Sequence, residues 1–137
     1  MSPKRVFVSY SSGADRNGDR AREIAAALRV RGAEVWEASE HVSAGSSIAD
    51  EIDAAIRASD AVVALVARED VAGPWLYWEL GAAVALGRQV IPVIDEDLEA
   101  ADLPAPLRLR LFVRWSNAES VADRIIAALQ REPAQAS

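Results

Sequence analysis

The chain has 137 residues, of which 51% are hydrophobic and 26% are charged, and its formal net charge is −6. This length and balance predict one globular domain over residues 1–137, with an ordered core of about 4–131 and a frayed tail at 132–137. The negative charge argues against binding to nucleic-acid phosphates, and zero cysteines with a single histidine argue against a metal centre.

No apolar run reaches the length of a membrane span, and the N-terminus does not resemble a signal-peptide core. We therefore expect a soluble, cytoplasmic protein. We expect no direct partnership with nucleic acid or membrane, and no bound metal.

The chain begins with a strand pattern followed by a helix pattern. A β-branched and aromatic run predicts the first strand at 5–10. Residues Asp15 to Gly18 predict a loop and helix cap, and apolar residues at helical spacing then predict a helix that Gly32 stops.

The same alternation repeats in the next segment. A short second strand is predicted at 33–37, followed by a polar loop at 38–47 that contains Gly45. Apolar residues then recur at helical intervals from Ile48 to about Ser59, which predicts a second helix.

The centre of the chain contains its most continuously apolar segment. Residues 60–66 predict a central parallel strand that is covered on both faces. A third helix is predicted from Pro74 to Gly87, because proline suits the first turn of a helix and glycine its end.

The last part of the chain predicts two more strands and a closing helix, at 89–94, 111–115 and 120–131. Pro92 lacks a backbone donor, so the fourth strand is expected near the edge of the sheet or to be irregular. Five acids fall within 95–102, and without the glycine and ligand rhythm of a calcium loop we interpret them as a solvated acidic loop.

Five alternations of strand and helix predict a doubly wound parallel sheet, since parallel neighbours need crossover connections. In such a sheet, the loops at the carboxyl ends of the strands converge on a crevice. The loops after the first three predicted strands then meet at one edge.

Three of the chain's eight aromatic residues lie in the short segment from Trp75 to Trp78, just before Glu79. Trp75 and Glu79 are four residues apart, so they share one face of the predicted helix. A carboxylate beside an indole is partly desolvated and suited to chemistry on a cationic or hydroxyl-bearing ligand. The alternative is that Trp75, Leu80 and Ala83 form an ordinary core stripe with Glu79 at its margin.

The ordered motifs of the chain resemble those of the Toll/interleukin-1 receptor (TIR) domain family. The resemblance rests on Val6-Phe7-Val8-Ser9-Tyr10-Ser11, Gly32 to Trp36, Ala44-Gly45, Ile52 to Ser59, Trp75-x-x-x-Glu79-Leu80 and Val90-Ile91-Pro92-Val93. It spans nearly the whole chain, which resembles small prokaryotic stand-alone members with NAD-cleaving activity. It implies an α/β fold with five parallel strands in the flavodoxin-like order 2-1-3-4-5.

The resemblance also implies an activity and a site. In enzymatic TIR domains, the glutamate of the Trp-x-x-x-Glu segment cleaves NAD⁺ between nicotinamide and ribose, and that residue here is Glu79. NAD⁺ is then a substrate, and no cofactor is needed. The implied substrate-binding residues are Ser9, Tyr10, Ser11, Ser12, Gly45, Ile48 and Trp75. Where the family often has an acid, this chain has Ala38, and Glu37 or Glu40 is expected to replace it.

The expected function is therefore an NAD⁺ nucleosidase that makes ADP-ribose or a cyclic or modified ADP-ribose signal, in prokaryotic antiphage immunity. Its expected partners are other TIR domains, by self-association, or a separate effector or sensor protein. One alternative is a non-catalytic adaptor that acts by TIR–TIR assembly. Another is a relative of the nucleoside deoxyribosyltransferases, which share a related fold and act on N-glycosidic bonds.

Overall fold

A computed structural model of the chain describes residues 4–10, 15–37, 54–68, 81–103 and 112–130. The strands are β1 (Arg5–Ser9), β2 (Glu34–Glu37), β3 (Ala61–Val66), β4 (Gln89–Ile94) and β5 (Val113–Arg114). The helices are α1 (Asp15–Val30), α2 (helical residues 54–58), α3 (helical residues 81–85) and α4 (Ala118–Gln130), with a 3₁₀ turn at Ala100–Asp102. Within these ranges, no helix combines the length and the apolar character needed to cross a bilayer.

The five strands form one parallel sheet in the order β2-β1-β3-β4-β5. In register, Val6 of β1 lies opposite Val35 of β2 on one side and Ala61 of β3 on the other. The predicted doubly wound sheet and its strand order are therefore confirmed.

Alternate strand residues pack into two cores, one on each face of the sheet. Val6 and Val8 join the core beneath α1 and α4, which we call the α1/α4 face. Phe7 joins the core beneath α2 and α3, which we call the α2/α3 face. All six residues of β3 are buried, as predicted for a strand covered on both sides.

Helix α1 begins at Asp15 and contains Gly18, which corrects the prediction of a loop and cap over these residues. An interior glycine costs a helix roughly 1 kcal/mol relative to alanine. Ala21, Ile24 and Leu28 are fully buried on the same helix, and the burial of this apolar stripe outweighs that cost.

Helices α1 and α3 both end at glycine, as predicted. Gly32 and Gly87 have φ values of +94° and +72°, a region that favours glycine. After Gly32, the Ala33 N–H donates to the Leu28 carbonyl at 3.1 Å. After Gly87, the Arg88 N–H donates to the Ala83 carbonyl at 2.9 Å. Both ends are Schellman motifs, which satisfy the last helical carbonyls.

Pro92 lies in β4, which is the second strand from the edge of the sheet. The Trp115 N–H donates to the Ile94 carbonyl at 2.8 Å, so the backbone polar groups of Ile94 face β5. Residues two apart in a strand face the same way, so the Pro92 nitrogen also faces β5. The described pairing with β5 begins at Val93, so the missing donor falls just outside that ladder.

Helix α4 begins at Ala118, earlier than the predicted Ser120. Asn117 caps it, because its Oδ1 accepts from the Ser120 N–H at 2.9 Å and its carbonyl accepts from the Val121 N–H at 3.0 Å. The asparagine side chain thus satisfies a helix donor that has no partner within the helix.

Candidate functional site

All five strands run in the same direction, so their carboxyl ends meet at one edge, which we call the carboxyl edge. The chain leaves β1 toward β2 and leaves β3 toward β4, so the direction of winding changes between β1 and β3. Doubly wound sheets bind ligands in the crevice outside such a switch point. The crevice here lies next to Ser9, the last residue of β1, whose Cα pairs with Ala64 of β3.

Ser9 is a buried polar residue at this switch point, with 1% of its surface exposed. Strand residues alternate between faces, and Phe7 lies on the α2/α3 face, so Ser9 points to that face as well. Helix α3 packs on the same face through Ala83. The predicted site residue Ser9 is therefore on the side of the sheet that α3 covers.

Tyr10 lies next to Ser9 but packs on the other side of the sheet. Its partly buried side chain contacts the core of the α1/α4 face. A Cβ built on Gly18 would lie 3.6 Å from the Tyr10 ring and 3.8 Å from its hydroxyl oxygen, so the ring lies beside α1. The structure thus places Ser9 and Tyr10 at one edge but on opposite faces.

The remaining predicted site residues lie outside the described residues. They are Ser11, Ser12, Gly45, Ile48, Trp75 and Glu79. The described part of α3 begins at Gly81, two residues after Glu79. Their roles stay predictions.

Glu37 ends β2 and is buried, and it faces α1. Arg29 of α1 approaches it with Nη1 at 3.8 Å from Glu37 Oε2. The same guanidinium donates from Nη2 to the Val35 carbonyl at 2.7 Å. Glu37 is thus paired on the α1/α4 face, whereas Ser9 faces α3. Of the two acids expected to replace the one missing at Ala38, Glu40 lies outside the described residues.

A charged cluster at the carboxyl edge was missed by the sequence reasoning. Arg20 of α1 donates to Asp95 Oδ1 at 2.9 Å and to Glu96 Oε1 at 3.0 Å. Its guanidinium carbon lies 4.4 Å from the centre of the Trp115 ring. The Arg20 and Asp95 side chains are only 14% and 3% exposed, so this pair is largely removed from water. The cluster joins α1 to the ends of β4 and β5.

The interpretation of 95–102 as a solvated acidic loop is corrected for Asp95, which is buried, whereas the other four acids of the segment are exposed. Arg68, which follows β3, donates to the Asp97 carbonyl at 2.8 Å and lies 3.8 Å from Asp102 Oδ2. Asp102 in turn accepts from the Glu99 N–H at 2.9 Å. Among the described residues, no group of three His, Cys, Asp or Glu side chains is arranged to hold a metal ion. The signal in the sequence was that Asp95 directly follows a strand, which places it at the carboxyl edge.

The strand order, the switch point beside Ser9 and the polar groups at the strand ends define a doubly wound α/β domain of the flavodoxin type. The chain belongs to the TIR domain family, because the model of the TIR domain matches residues 6–130. No curated protein sequence matches the chain.

Solved structures of similar fold share low sequence identity with the chain and show the fold alone. A metazoan TIR-STING receptor from C. gigas, in complex with 2′,3′-cGAMP, has a TM-score of 0.77 and 24% identity. The match covers 94% of this chain but only 42% of the receptor chain. The TIR domain of the Toll-related receptor TRR-2 from Hydra magnipapillata has a TM-score of 0.72 and 17% identity, covering 93% and 98% of the two chains. The Clostridium botulinum CMP N-glycosidase BcmB has a TM-score of 0.61 and 18% identity, covering 90% and 99%.

Proposed function

We propose that this TIR domain is an NAD⁺ nucleosidase that breaks the bond between nicotinamide and ribose, with Glu79 as its catalytic residue. One arrangement carries the proposal. Ser9 ends β1 at the switch point and faces the side of the sheet on which α3 packs, and Glu79 precedes Gly81, the first described residue of α3, by two positions in the chain. The match to the TIR family over residues 6–130 spans the positions of Trp75 and Glu79.

The chemistry needs one well-placed carboxylate. Nicotinamide is a cationic pyridinium in NAD⁺, so it departs as a neutral molecule with the electron pair of the glycosidic bond and needs no general acid. Glu79 would hold the ribose hydroxyls and stabilise the positive charge that develops on the sugar. Water would then bond to the anomeric carbon and release a proton, which gives ADP-ribose. Attack by a group of the same molecule would give a cyclic product instead.

The other residues of the proposed site bind the substrate and are not catalytic. Trp75 would pack near the nicotinamide ribose, and the loop with Gly45 and Ile48 would close over the ligand. The first loop would supply contacts to the base and phosphates through Ser9, Ser11 and Ser12 and through the backbone of Tyr10, whose ring packs on the α1/α4 face. NAD⁺ is the substrate in this proposal, so no cofactor is required.

A second candidate substrate comes from the similarity to the CMP N-glycosidase of Clostridium botulinum. That protein, by its name, also breaks an N-glycosidic bond, and its fold is similar over 90% of this chain. The shared reaction class supports cleavage of an N-glycosidic bond in this fold. It also makes a pyrimidine nucleotide such as CMP the substrate to test beside NAD⁺.

The deciding experiment incubates the purified chain with NAD⁺ or with CMP, at low and at high protein concentration, and separates the products by chromatography. We expect nicotinamide release from NAD⁺, with ADP-ribose or a cyclic or modified form of it. Release of cytosine from CMP, without release of nicotinamide from NAD⁺, would make CMP the substrate in place of NAD⁺. Absence of cleavage at every protein concentration would favour the adaptor.

The same assay tests the catalytic residue. Glu79→Gln keeps the size of the side chain but removes its charge, so nicotinamide release should fall by about 10²-fold or more while the melting temperature stays close to that of the parent. Glu34→Gln removes one charge from an exposed residue of β2 and is the matched control. Activity of Glu79→Gln within about threefold of the parent would overturn this assignment.

The proposed setting is the cytoplasm of a prokaryote, where depletion of NAD⁺ or a signal made from it would act in antiphage immunity. Activation by self-association or by a partner protein belongs to the same proposal. A turnover number that rises with protein concentration would support self-association. A constant turnover number would point to a separate partner.

A further inference from the structure

A groove of about 890 Å³ runs between α1 and the start of α4. Glu23 and Val30 of α1 line one side, and Trp115 and Glu119 line the other. These helices cover the α1/α4 face, so the groove lies across the sheet from α3. None of its lining residues belongs to the proposed NAD⁺ site, and its volume falls in the range of ordinary binding sites.

The groove carries negative charge that the described structure leaves uncompensated. Glu23 and Glu119 are both exposed, and neither has a hydrogen bond or ion pair with any described residue. Arg31 also lines the groove, but its Nε donates to Asp123 Oδ1 at 2.8 Å, so its charge is already balanced. The two glutamates therefore present their charge to whatever occupies the groove.

The groove also offers surfaces that suit a cation and an aliphatic group. The Trp115 ring already carries the Arg20 guanidinium at 4.4 Å, which is a cation–π contact, and part of the residue remains exposed. Val30 is 83% exposed and is the most exposed large hydrophobic residue of the described chain. An occupant with both a basic and an aliphatic side chain would complement these features.

We propose that this groove is the docking site for a basic segment of a partner protein. An arginine or lysine of that segment binds near Trp115 within reach of Glu23 and Glu119, and an aliphatic side chain covers Val30. Pairing of this groove with the same groove of a second copy would bring the unpaired glutamates of both copies together, so like charge opposes that occupant, and the same glutamates oppose nucleic acid. Positive charge therefore distinguishes the proposed occupant from a second copy and from nucleic acid. Its binding does not depend on the proposed NAD⁺ cleavage.

The probe is a short synthetic peptide of alternating leucine and arginine, and its counterpart has glutamate in place of arginine. Both are titrated into isotopically labelled full-length protein, and the amide and indole signals are followed by NMR. We expect the basic peptide to shift the Trp115 indole signal and the amides around Val30 and Glu119, and the acidic peptide to shift none of them. Shifts elsewhere in the chain without these would overturn the proposal.

Variants then separate the groove from general attraction to an acidic protein. Glu23→Gln with Glu119→Gln should weaken the basic peptide by about tenfold, since two exposed charge pairs are lost. The control removes the same charge at two exposed sites away from the groove, Glu34→Gln with Glu99→Gln, and should change affinity by less than about twofold. Equal weakening in both pairs would overturn the proposal.

A measurement without peptide tests the second copy as occupant. Sedimentation of the chain over a range of concentrations should show that the Glu23→Gln and Glu119→Gln double variant assembles as the parent does. If the parent self-associates and the double variant changes that association, the groove binds another copy of the chain and the proposal is wrong.

Discussion

The two ends of the parallel strands differ in the number and the role of their buried polar side chains. Among the described residues, the buried polar side chains are Ser9, Glu37, Asp95 and Ser59. The first three lie at or directly after the carboxyl ends of β1, β2 and β4, whereas Ser59 lies before the amino end of β3. Burial of a polar group costs free energy unless the group is hydrogen-bonded or paired with an opposite charge. Three of the four buried polar side chains lie at the carboxyl edge, which indicates that this edge is not built for stability alone.

At the amino ends of the strands, the polar groups complete helix termini. The Ser59 hydroxyl donates to the Ala55 carbonyl of α2 at 2.7 Å. The Arg88 guanidinium donates to the carbonyls of Ile56 and Arg57, at 3.2 and 2.8 Å, at the end of the same helix. These contacts satisfy backbone acceptors that a helix end leaves open. The comparison predicts that changes at the amino ends alter stability, whereas changes at the carboxyl edge can also alter function.

The largest effect on stability is expected at the carboxyl edge, from Arg20→Met. This change removes the Arg20 guanidinium from the buried Asp95 carboxylate, which should lower the free energy of unfolding by about 3 kcal/mol in denaturant titrations. Addition of Asp95→Asn should restore part of the loss, because it removes the buried charge that Arg20 no longer balances. If the double variant is as unstable as the single one, the uncompensated charge is not the cause.

Arg68→Met is the matched control for that prediction. Arg68 is 54% exposed and its ion pairs with Asp97 and Asp102 are 3.8 Å long, so the loss should stay below about 1 kcal/mol. A loss at Arg68 as large as that at Arg20 would mean that burial does not distinguish the two arginines.

A smaller effect is expected at the amino ends, from Arg88→Met. Loss of the hydrogen bonds to the ends of α2 and α3 should lower the free energy of unfolding by about 1 to 2 kcal/mol. Nicotinamide release, measured well below the melting temperature, should stay within about threefold of the parent because the change lies far along the strands from the carboxyl edge. The exposed Arg124→Met should leave both quantities nearly unchanged. A selective loss of turnover in Arg88→Met would break the contrast between the two ends.

The sheet was predictable from the sequence because its signals are local and repeated. The apolar run of β3, the glycines at 32 and 87 and the alternation of strand and helix patterns each specify an element without distant contacts. The start of α1 was predicted wrongly because Gly18 breaks the helical pattern locally, while the burial of Ile24 and Leu28 against the sheet compensates for it. Tertiary packing outweighed local propensity there.

The carboxyl edge was predictable only in part. Its existence follows from parallel strands, and Ser9 lies there at the end of β1, while its role in substrate binding stays a prediction. The pairing of Arg20 with Asp95 joins residues far apart in the chain, and no spacing rule connects them. The opposite faces of Ser9 and Tyr10 follow from strand alternation, which the sequence reasoning did not apply to the first loop.

Apart from the control variants, the smallest effects on stability are expected from Ser9→Ala and Ser59→Ala, which also test the difference between the two strand ends most directly. The two serines are 1% and 4% exposed and lie at opposite ends of the strands. Each variant loses one buried hydroxyl, so each should lower the free energy of unfolding by about 1 kcal/mol. Only Ser9→Ala should also raise the KM for NAD⁺, by about threefold to tenfold, since Ser59 completes a helix end whereas Ser9 borders the crevice at the switch point. Denaturant titration and initial rates of nicotinamide release give both quantities for each variant. If the two variants change KM equally, or if neither changes it, Ser9 is a structural residue. The part of the carboxyl edge that binds substrate would then not include the end of β1.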